Sequence, residues 1–238
     1  MYFYKCSWII FVCCIFFACT DNMQERVQYT LYHAGENSDE LKKVLDHYQN
    51  QPEKLRAACF LVANMLTHRT YVGKEIDSLK QMKKESIQKG RISDEIVAHW
   101  KSFDYSSLQI VKDVDVMKAD ILIENIDLAF EAWEKRSWSK QYSFEDFCEY
   151  VLPYRIGDEP LEKWRRIYYE RYSPVLDSLY QGNDVVEAAR VMANYLKEEG
   201  FTNHTDFNLP HLGALFLLEN RVGYCRDNCD IATLSLIH

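Results

Sequence analysis

Apolar residues recur every three or four positions over most of this chain, and this spacing constrains its fold more than any other feature. Pro52 suits the first turn of a helix, and the apolar stripe after it includes Leu55, Ala58, Cys59 and Val62. Several later segments repeat the same period, and turn or capping residues separate them. The sequence therefore predicts a mainly α-helical fold.

Capping signals indicate where several of these helices begin and end. Asn37 and Glu40 have the spacing of a capping box, and Ser143 and Asp184 are suited to N-cap positions. Gly90 comes directly after a charged amphipathic stretch and is suited to a C-terminal cap.

The first nineteen residues are apolar and rich in cysteine. Lys5 precedes an apolar run, Trp8–Ala18, which is short for a membrane span of about 20 residues and predicts a signal peptide over residues 1–18. The end of this run resembles the bacterial lipobox, and this resemblance implies that Cys19 carries a lipid and anchors the protein in the cell envelope. An ordinary cleaved signal peptide or a short membrane anchor is the alternative.

The remainder of the chain divides into three parts by pattern. Residues 19–36 are polar and are predicted to form a tether. Residues 37–175 are predicted to form a helical N-terminal domain, and a second unit is predicted over residues 176–238, after a weak boundary near residues 173–183.

The charge balance argues against nucleic acid as a partner. The chain has 28 basic and 36 acidic residues and a net charge of −8, without the basic surplus that binds a phosphate backbone. Only eight glycines occur, and none forms a phosphate-binding loop. We therefore expect neither a nucleotide nor any other cofactor.

Residues 152–160 are predicted to form a turn between a helix that ends before Pro153 and another that begins at Pro160. The polar residues of this turn are Tyr154, Arg155, Asp158 and Glu159. They fit either of two interpretations. One is a site that uses Arg155 and a carboxylate, and the other is a structural salt bridge that fixes two helices.

Cys225 is the candidate nucleophile. Gly223 permits a tight turn before it, and Ile231, Leu234 and Ile237 after it predict a helix. Cys225 would then lie near a helix N-terminus, where unpaired N–H groups and the macrodipole favour the thiolate over the thiol. A thiolate in such a place is suited to nucleophilic acyl transfer.

The residues around Cys225 resemble the nucleophile motif of the transglutaminase-like superfamily. They read Gly-Tyr-Cys-Arg-Asp-Asn over residues 223–228, and a helix of small and apolar residues comes next. Ala-Gly-Glu-Asn at 34–37, Leu-Pro-Tyr-Arg at 152–155 and Glu-Pro-Leu-Glu-Lys-Trp-Arg at 159–165 also resemble the helical N-terminal region of transglutaminase-like lipoproteins from gut-type Bacteroidetes.

This resemblance implies a fold and a reaction. The second unit would be the start of an α+β, papain-like core, and Cys225 would attack an amide carbonyl of a peptide or protein to form a thioester. Water or an amine would release that thioester, so hydrolysis and crosslinking are both open. We expect no bound metal.

The sequence departs from the family after the nucleophile helix, where a sheet should supply a His base and an Asp or Asn. His238 lies 13 residues after Cys225, about 20 Å along one helix, which is too far for a base. His204 and His211 match no family position. We therefore expect a fragment, or a chain truncated just after its nucleophile motif and inactive as it stands. Without the sheet, three apolar side chains are expected to be exposed, namely Ile231, Leu234 and Ile237.

The other cysteines leave alternatives open. Cys225 and Cys229 are spaced C-x₃-C and, with His204 or His211, are a possible zinc set, although the spacing is not that of a zinc knuckle. We expect Cys229 to pack instead.

A disulfide between Cys59 and Cys148 is compatible with an oxidising envelope, and the sequence does not decide it.

A second function class also stays open, because the His and Asp of a triad are missing. This alternative is a non-catalytic, envelope-anchored lipoprotein that binds a partner or serves as a scaffold.

Overall fold

The structure is a computed structural model that describes residues 22–90, 93–104, 106, 108–203 and 210–237. Within these residues it is mainly α-helical, as predicted. The helices are residues 22–33 (α1), Ser38–His47 (α2), Pro52–Asn64 (α3), Lys74–Lys89 (α4), Asp94–Lys101 (α5), Asp113–Val116 (α6), Ala119–Lys135 (α7), Phe144–Tyr150 (α8), Arg165–Leu179 (α9), Val185–Glu198 (α10), Ala214–Asn220 (α11) and Cys225–Ile237 (α12).

Two small sheets accompany the helices. Strands Arg69–Val72 (β1) and Gln109–Lys112 (β2) pair antiparallel, with Arg69 opposite Lys112. Strands Thr202–Asn203 (β3) and Val222–Gly223 (β4) pair in parallel, with Gly223 opposite Asn203. The second pair lies immediately before α12 and therefore fixes the backbone that leads into Cys225.

Two apolar clusters form the interior. The first joins α1, α2, α3, α7 and α8 around residues such as Leu41, Val62, Ile126 and Phe147. The second joins α4, α5 and α9 to α12, and its most enclosed members are Tyr168, Tyr172, Leu176, Ala188 and Met192.

The predicted tether is helical from residue 22 onward. Val27, Leu31 and Ala34 recur at a spacing of three and four residues, and all three are buried in the first cluster. The segment 19–36 is therefore a packed helix rather than a tether over its described part. Residues 1–21, with the predicted signal peptide and Cys19, lie outside the described residues.

The boundary predicted between residues 175 and 176 falls inside α9. The second cluster draws residues from both sides of it, including Ile76 and Trp164 before it and Ile231 after it. The second cluster therefore contains residues from both sides of the predicted boundary, and the boundary does not separate the two clusters.

The predicted exposure of the apolar face of α12 is wrong. Ile231 and Leu234 are buried and Ile237 is partly buried. Helices α9, α10 and α11 pack against α12 and cover this face.

Three predicted caps are confirmed. Ser143 Oγ accepts a hydrogen bond from the Asp146 N–H at 3.1 Å, and Asp184 Oδ1 accepts one from the Val186 N–H at 2.8 Å. Gly90 ends α4 in the left-handed region, with φ of 63°.

Asn37 and Glu40 do not form the predicted capping box. Asn37 Nδ2 donates to the carbonyl groups of Val114 and Met117 at 3.1 and 2.9 Å. Glu40 Oε2 accepts the Ala119 N–H at 3.0 Å. Both side chains therefore hold the turn between α6 and α7, and Glu40 satisfies a free N–H at the start of another helix.

The helix predicted from Pro160 begins instead at Arg165. The segment before it is irregular because its groups bond to one another across the turn. The Glu159 carboxylate accepts the N–H groups of Ile156 and Gly157, both at 2.6 Å.

The salt-bridge interpretation of this turn is confirmed for Arg155, with a partner that the sequence did not indicate. Arg155 Nη2 donates to Asp113 Oδ1 at 2.8 Å, and its Nε lies 2.7 Å from Oδ2. The side chains are 3% and 1% exposed, and the Tyr154 hydroxyl donates to the same carboxylate at 2.9 Å. The pair therefore fixes the turn against α6.

Arg165 connects the two clusters. Its Nε donates to Asn125 Oδ1 at 2.8 Å, and its Nη2 donates to the carbonyl groups of Val151 and Pro153 at 2.8 and 2.9 Å. Its Nη1 donates to the carbonyl of Ile237. The guanidinium thus joins α7, the end of α8 and the end of α12.

We predict that Arg165→Met lowers the free energy of unfolding by about 3–5 kcal/mol, because it leaves several buried acceptors without a donor. The neighbouring Arg166→Met is the matched control, since Arg166 is 52% exposed and pairs with Glu124 on the surface. It should cost less than about 1 kcal/mol. Urea denaturation followed by circular dichroism measures both, and equal losses would contradict the role given to Arg165.

Candidate functional site

Cys225 is the first residue of α12 and its side chain is exposed. The structure therefore confirms the predicted position at a helix N-terminus. The helix has 13 residues, and β4 and Tyr224 lead directly into it.

The Asp227 side chain caps the N-terminus of this helix. Its side chain is 2% exposed, and its Oδ2 accepts the N–H of Tyr224 at 2.8 Å, which is one arm of a capping box. Its Oδ1 lies 3.5 Å from the N–H of Leu212, a weak contact that holds the preceding loop against α12. Burial raises the pKa of the Asp227 carboxyl, and the nearby Asp230 charge acts in the same direction.

Gly223 is required by the close approach of this carboxylate. A Cβ at residue 223 would lie 2.5 Å from the Cβ of Asp227, which is closer than side-chain carbons approach one another. The Gly-Tyr-Cys-Arg-Asp motif is therefore a single structural unit, in which Gly223 and Asp227 fit together and Cys225 is presented on the opposite side.

His211 contacts the same helix from the loop before α11. Its Nδ1 lies 2.6 Å from Asp230 Oδ2, and its Nε2 lies 3.9 Å from Asp158 Oδ1. Its backbone N–H donates to Asp158 Oδ1 at 3.1 Å. The hydrogen bond to Asp230 raises the pKa of the His211 imidazole, against the effect of burial.

The structure does not bring His211 to Cys225. At 100° per residue, Asp227 and Asp230 share one face of α12, and Cys225 lies roughly half a turn around the helix axis from that face. Because His211 is bonded to the Asp230 face, it is not placed to accept a proton from the Cys225 thiol.

The zinc set that the sequence left open as an alternative does not assemble in the described residues. Cys225 and Cys229 are both exposed, so the expectation that Cys229 packs is wrong. His211 is engaged with Asp230, and His204 lies outside the described residues.

The other two described cysteines are free thiols in the interior. Cys59 and Cys148 are both buried, and no disulfide joins them. Burial raises the pKa of both thiols, that of Cys148 to about 12. These two cysteines are therefore poor nucleophiles, and Cys225 and Cys229 are the accessible thiols of the described chain.

The sequence analysis missed the grouping of His211 with Asp227 and Asp230. One ligand atom from each lies within 4.8 Å of the other two. The spacing of the two aspartates by three residues indicates that they share one helix face, and the sequence alone could have shown this. The position of His211 depends on the loop before α11, and the sequence alone could not have shown it.

We predict that Asp227→Ala lowers the free energy of unfolding by about 1–3 kcal/mol, because the N–H of Tyr224 loses its acceptor. Asp227→Asn is the matched control, since an amide oxygen can still accept that bond, and it should cost less. Urea denaturation measures the difference. If the alanine and asparagine variants are equally stable, the hydrogen bond does not hold the start of α12.

Comparison of the chain with protein-family models, with curated proteins and with solved structures gave no match. No helix in the described ranges combines the length and apolar character needed to cross a bilayer.

Proposed function

We propose that this chain carries the nucleophile of a transglutaminase-like cysteine enzyme, in which Cys225 attacks an amide carbonyl of a peptide or protein. The observation that supports the proposal most is the exposed position of Cys225 at the first residue of α12. The resemblance of residues 223–228 to the nucleophile motif supplies the reaction class.

The local structure suits the first chemical step. The first N–H groups of a helix have no partner within it, and the macrodipole places partial positive charge there. Both favour the oxyanion that forms when the Sγ of Cys225 bonds to the carbonyl carbon. The C–N bond then breaks and the amine leaves with a proton, so that a thioester remains for water or another amine to attack.

The proton for the leaving amine requires a further group. Within the described residues no histidine hydrogen-bonds to Cys225, and His211 lies on the other side of α12. The full reaction therefore needs an acid–base group beyond those that the described residues bring to the thiol.

We predict that iodoacetamide alkylates Cys225 about tenfold faster than Cys229 at pH 7, because only Cys225 lies at the helix N-terminus. Cys229 is the internal control, since it is also exposed and lies one turn further along the same helix. Peptide mass spectrometry after timed quenching measures both rates. The same reaction in guanidinium should remove the difference, and equal rates in the folded protein would count against a nucleophilic Cys225.

A non-catalytic, envelope-anchored binding or scaffold protein is the second candidate. His211 and Asp230 lie about half a turn around α12 from Cys225, so neither is placed to act as a base for the exposed thiol, and this favours the second candidate. Incubation with amide-bearing peptides separates the two candidates. Trapping of a thioester adduct on Cys225 that Cys225→Ser abolishes supports the enzyme, whereas peptide binding that is equal in both proteins supports the binding protein.

The lipid anchor at Cys19 is proposed on the lipobox-like sequence. We predict that, in bacteria grown with an alkyne fatty acid, the wild-type protein incorporates the label and the Cys19→Ala variant does not. Cys59→Ala is the control, since it should retain full labelling. Equal labelling of wild type and Cys19→Ala would contradict the anchor.

A further inference from the structure

We propose that His211, Asp227 and Asp230 bind one divalent transition-metal cation. One donor atom from each residue lies within 4.8 Å of the other two. Ligands around a metal at about 2.1 Å lie roughly 3 Å apart when adjacent. His211 Nδ1 and Asp230 Oδ2 are already 2.6 Å apart, so it is chiefly Asp227 that has to approach for the three to close on an ion.

The charge around the imidazole favours a cation. Asp158, Asp227 and Asp230 surround His211, and Asp227 and Asp230 are both buried. Arg226 offsets part of this charge, because its Nε lies 3.8 Å from Asp227 Oδ1. Three carboxylates thus lie near one histidine, and buried charges are ordinarily paired or coordinate metals.

The second ring nitrogen of His211 lies near a carboxylate, the group that usually accepts a hydrogen bond from that nitrogen in a metal-binding histidine. With Nδ1 directed at Asp230, Nε2 faces Asp158 Oδ1 at 3.9 Å. A small rotation would bring the Nε2–H into hydrogen-bond distance of that carboxylate. A carboxylate behind a histidine fixes its ring orientation and raises its basicity as a ligand.

The proposed site is close to the surface, because the side chains of His211 and Asp230 are 17% and 12% exposed. A narrow cleft borders His211 and Asp158, and Thr70, Tyr71, Lys80, Pro160 and Pro210 complete its lining. Lys80 is the one opposing charge in the lining, and burial lowers its pKa.

The donor set indicates the class of metal. One imidazole nitrogen with carboxylate oxygens suits Zn²⁺, Co²⁺ or Mn²⁺, whereas Mg²⁺ and Ca²⁺ prefer oxygen ligands alone. The site lies on the face of α12 opposite Cys225 and does not depend on the proposed thiol chemistry. Asp227 also holds the N–H of Tyr224, so a bound ion would stiffen the start of α12.

The test uses Co²⁺, whose visible absorption reports an imidazole and carboxylate environment. The full chain carries Cys225→Ser and Cys229→Ser, so that the two thiols exposed among the described residues cannot bind the ion. We expect one Co²⁺ per chain with micromolar affinity or tighter, and at least a tenfold loss of affinity in His211→Gln and in Asp230→Asn. His99→Gln, a histidine of α5, is the matched control and should bind as the parent does.

Absence of Co²⁺ binding, or unchanged affinity in His211→Gln, overturns the proposal. A second measurement covers the case in which His211→Gln fails to fold. X-ray absorption of Zn²⁺ bound to the parent chain should show imidazole scattering with oxygen ligands at about 2.0–2.2 Å. A shell without imidazole would also overturn the site. Because the parent lacks the Cys225 thiol, either result leaves the proposed nucleophile to be judged separately.

Discussion

The buried guanidinium of Arg165 is the interaction on which the arrangement of the helices depends. The side chain is 2% exposed, and its hydrogen bonds reach α7 through Asn125, the end of α8 through Val151 and the end of α12 through Ile237. Helix C-termini carry partial negative charge and unpaired carbonyl groups, so two helix ends compensate one buried cation. Neither apolar cluster alone orients α12 relative to α7, because the contacts of an apolar surface are not directional.

Helix α12 then has two chemically different faces at its first turn. Asp227 and Asp230 face inward to the loop that carries His211, and Cys225 faces solvent. Gly223 allows this arrangement because a Cβ there would collide with Asp227. The motif around the cysteine therefore has a structural function that is separate from any reaction. A carboxylate under the helix start sets the backbone, and the thiol is exposed as a result.

The sequence predicted the features that depend on local periodicity and local hydrogen bonds. The mainly helical fold, the caps at Ser143, Asp184 and Gly90 and the helix start at Cys225 belong to this group. It did not predict features that depend on distant partners. Asn37 and Glu40 have the spacing of a cap but bond to the α6–α7 turn, and Arg155 pairs with Asp113 rather than with a carboxylate of its own turn. The proximity of His211 to Asp230 is of the same kind, because 19 residues separate them along the chain. Polar composition also concealed α1, whose buried positions are few.

The two buried thiols bear on the order of events during biogenesis. Cys59 and Cys148 belong to the same apolar cluster and are free in the folded chain, where burial raises the pKa of both. Thiol oxidation proceeds through the thiolate and requires access, so the native fold protects both residues from an oxidant. The unfolded chain has no such protection. In an oxidising compartment, the first cluster would have to fold faster than the two thiols form a disulfide. The yield of native protein would then depend on the relative rates of folding and oxidation rather than on equilibrium stability.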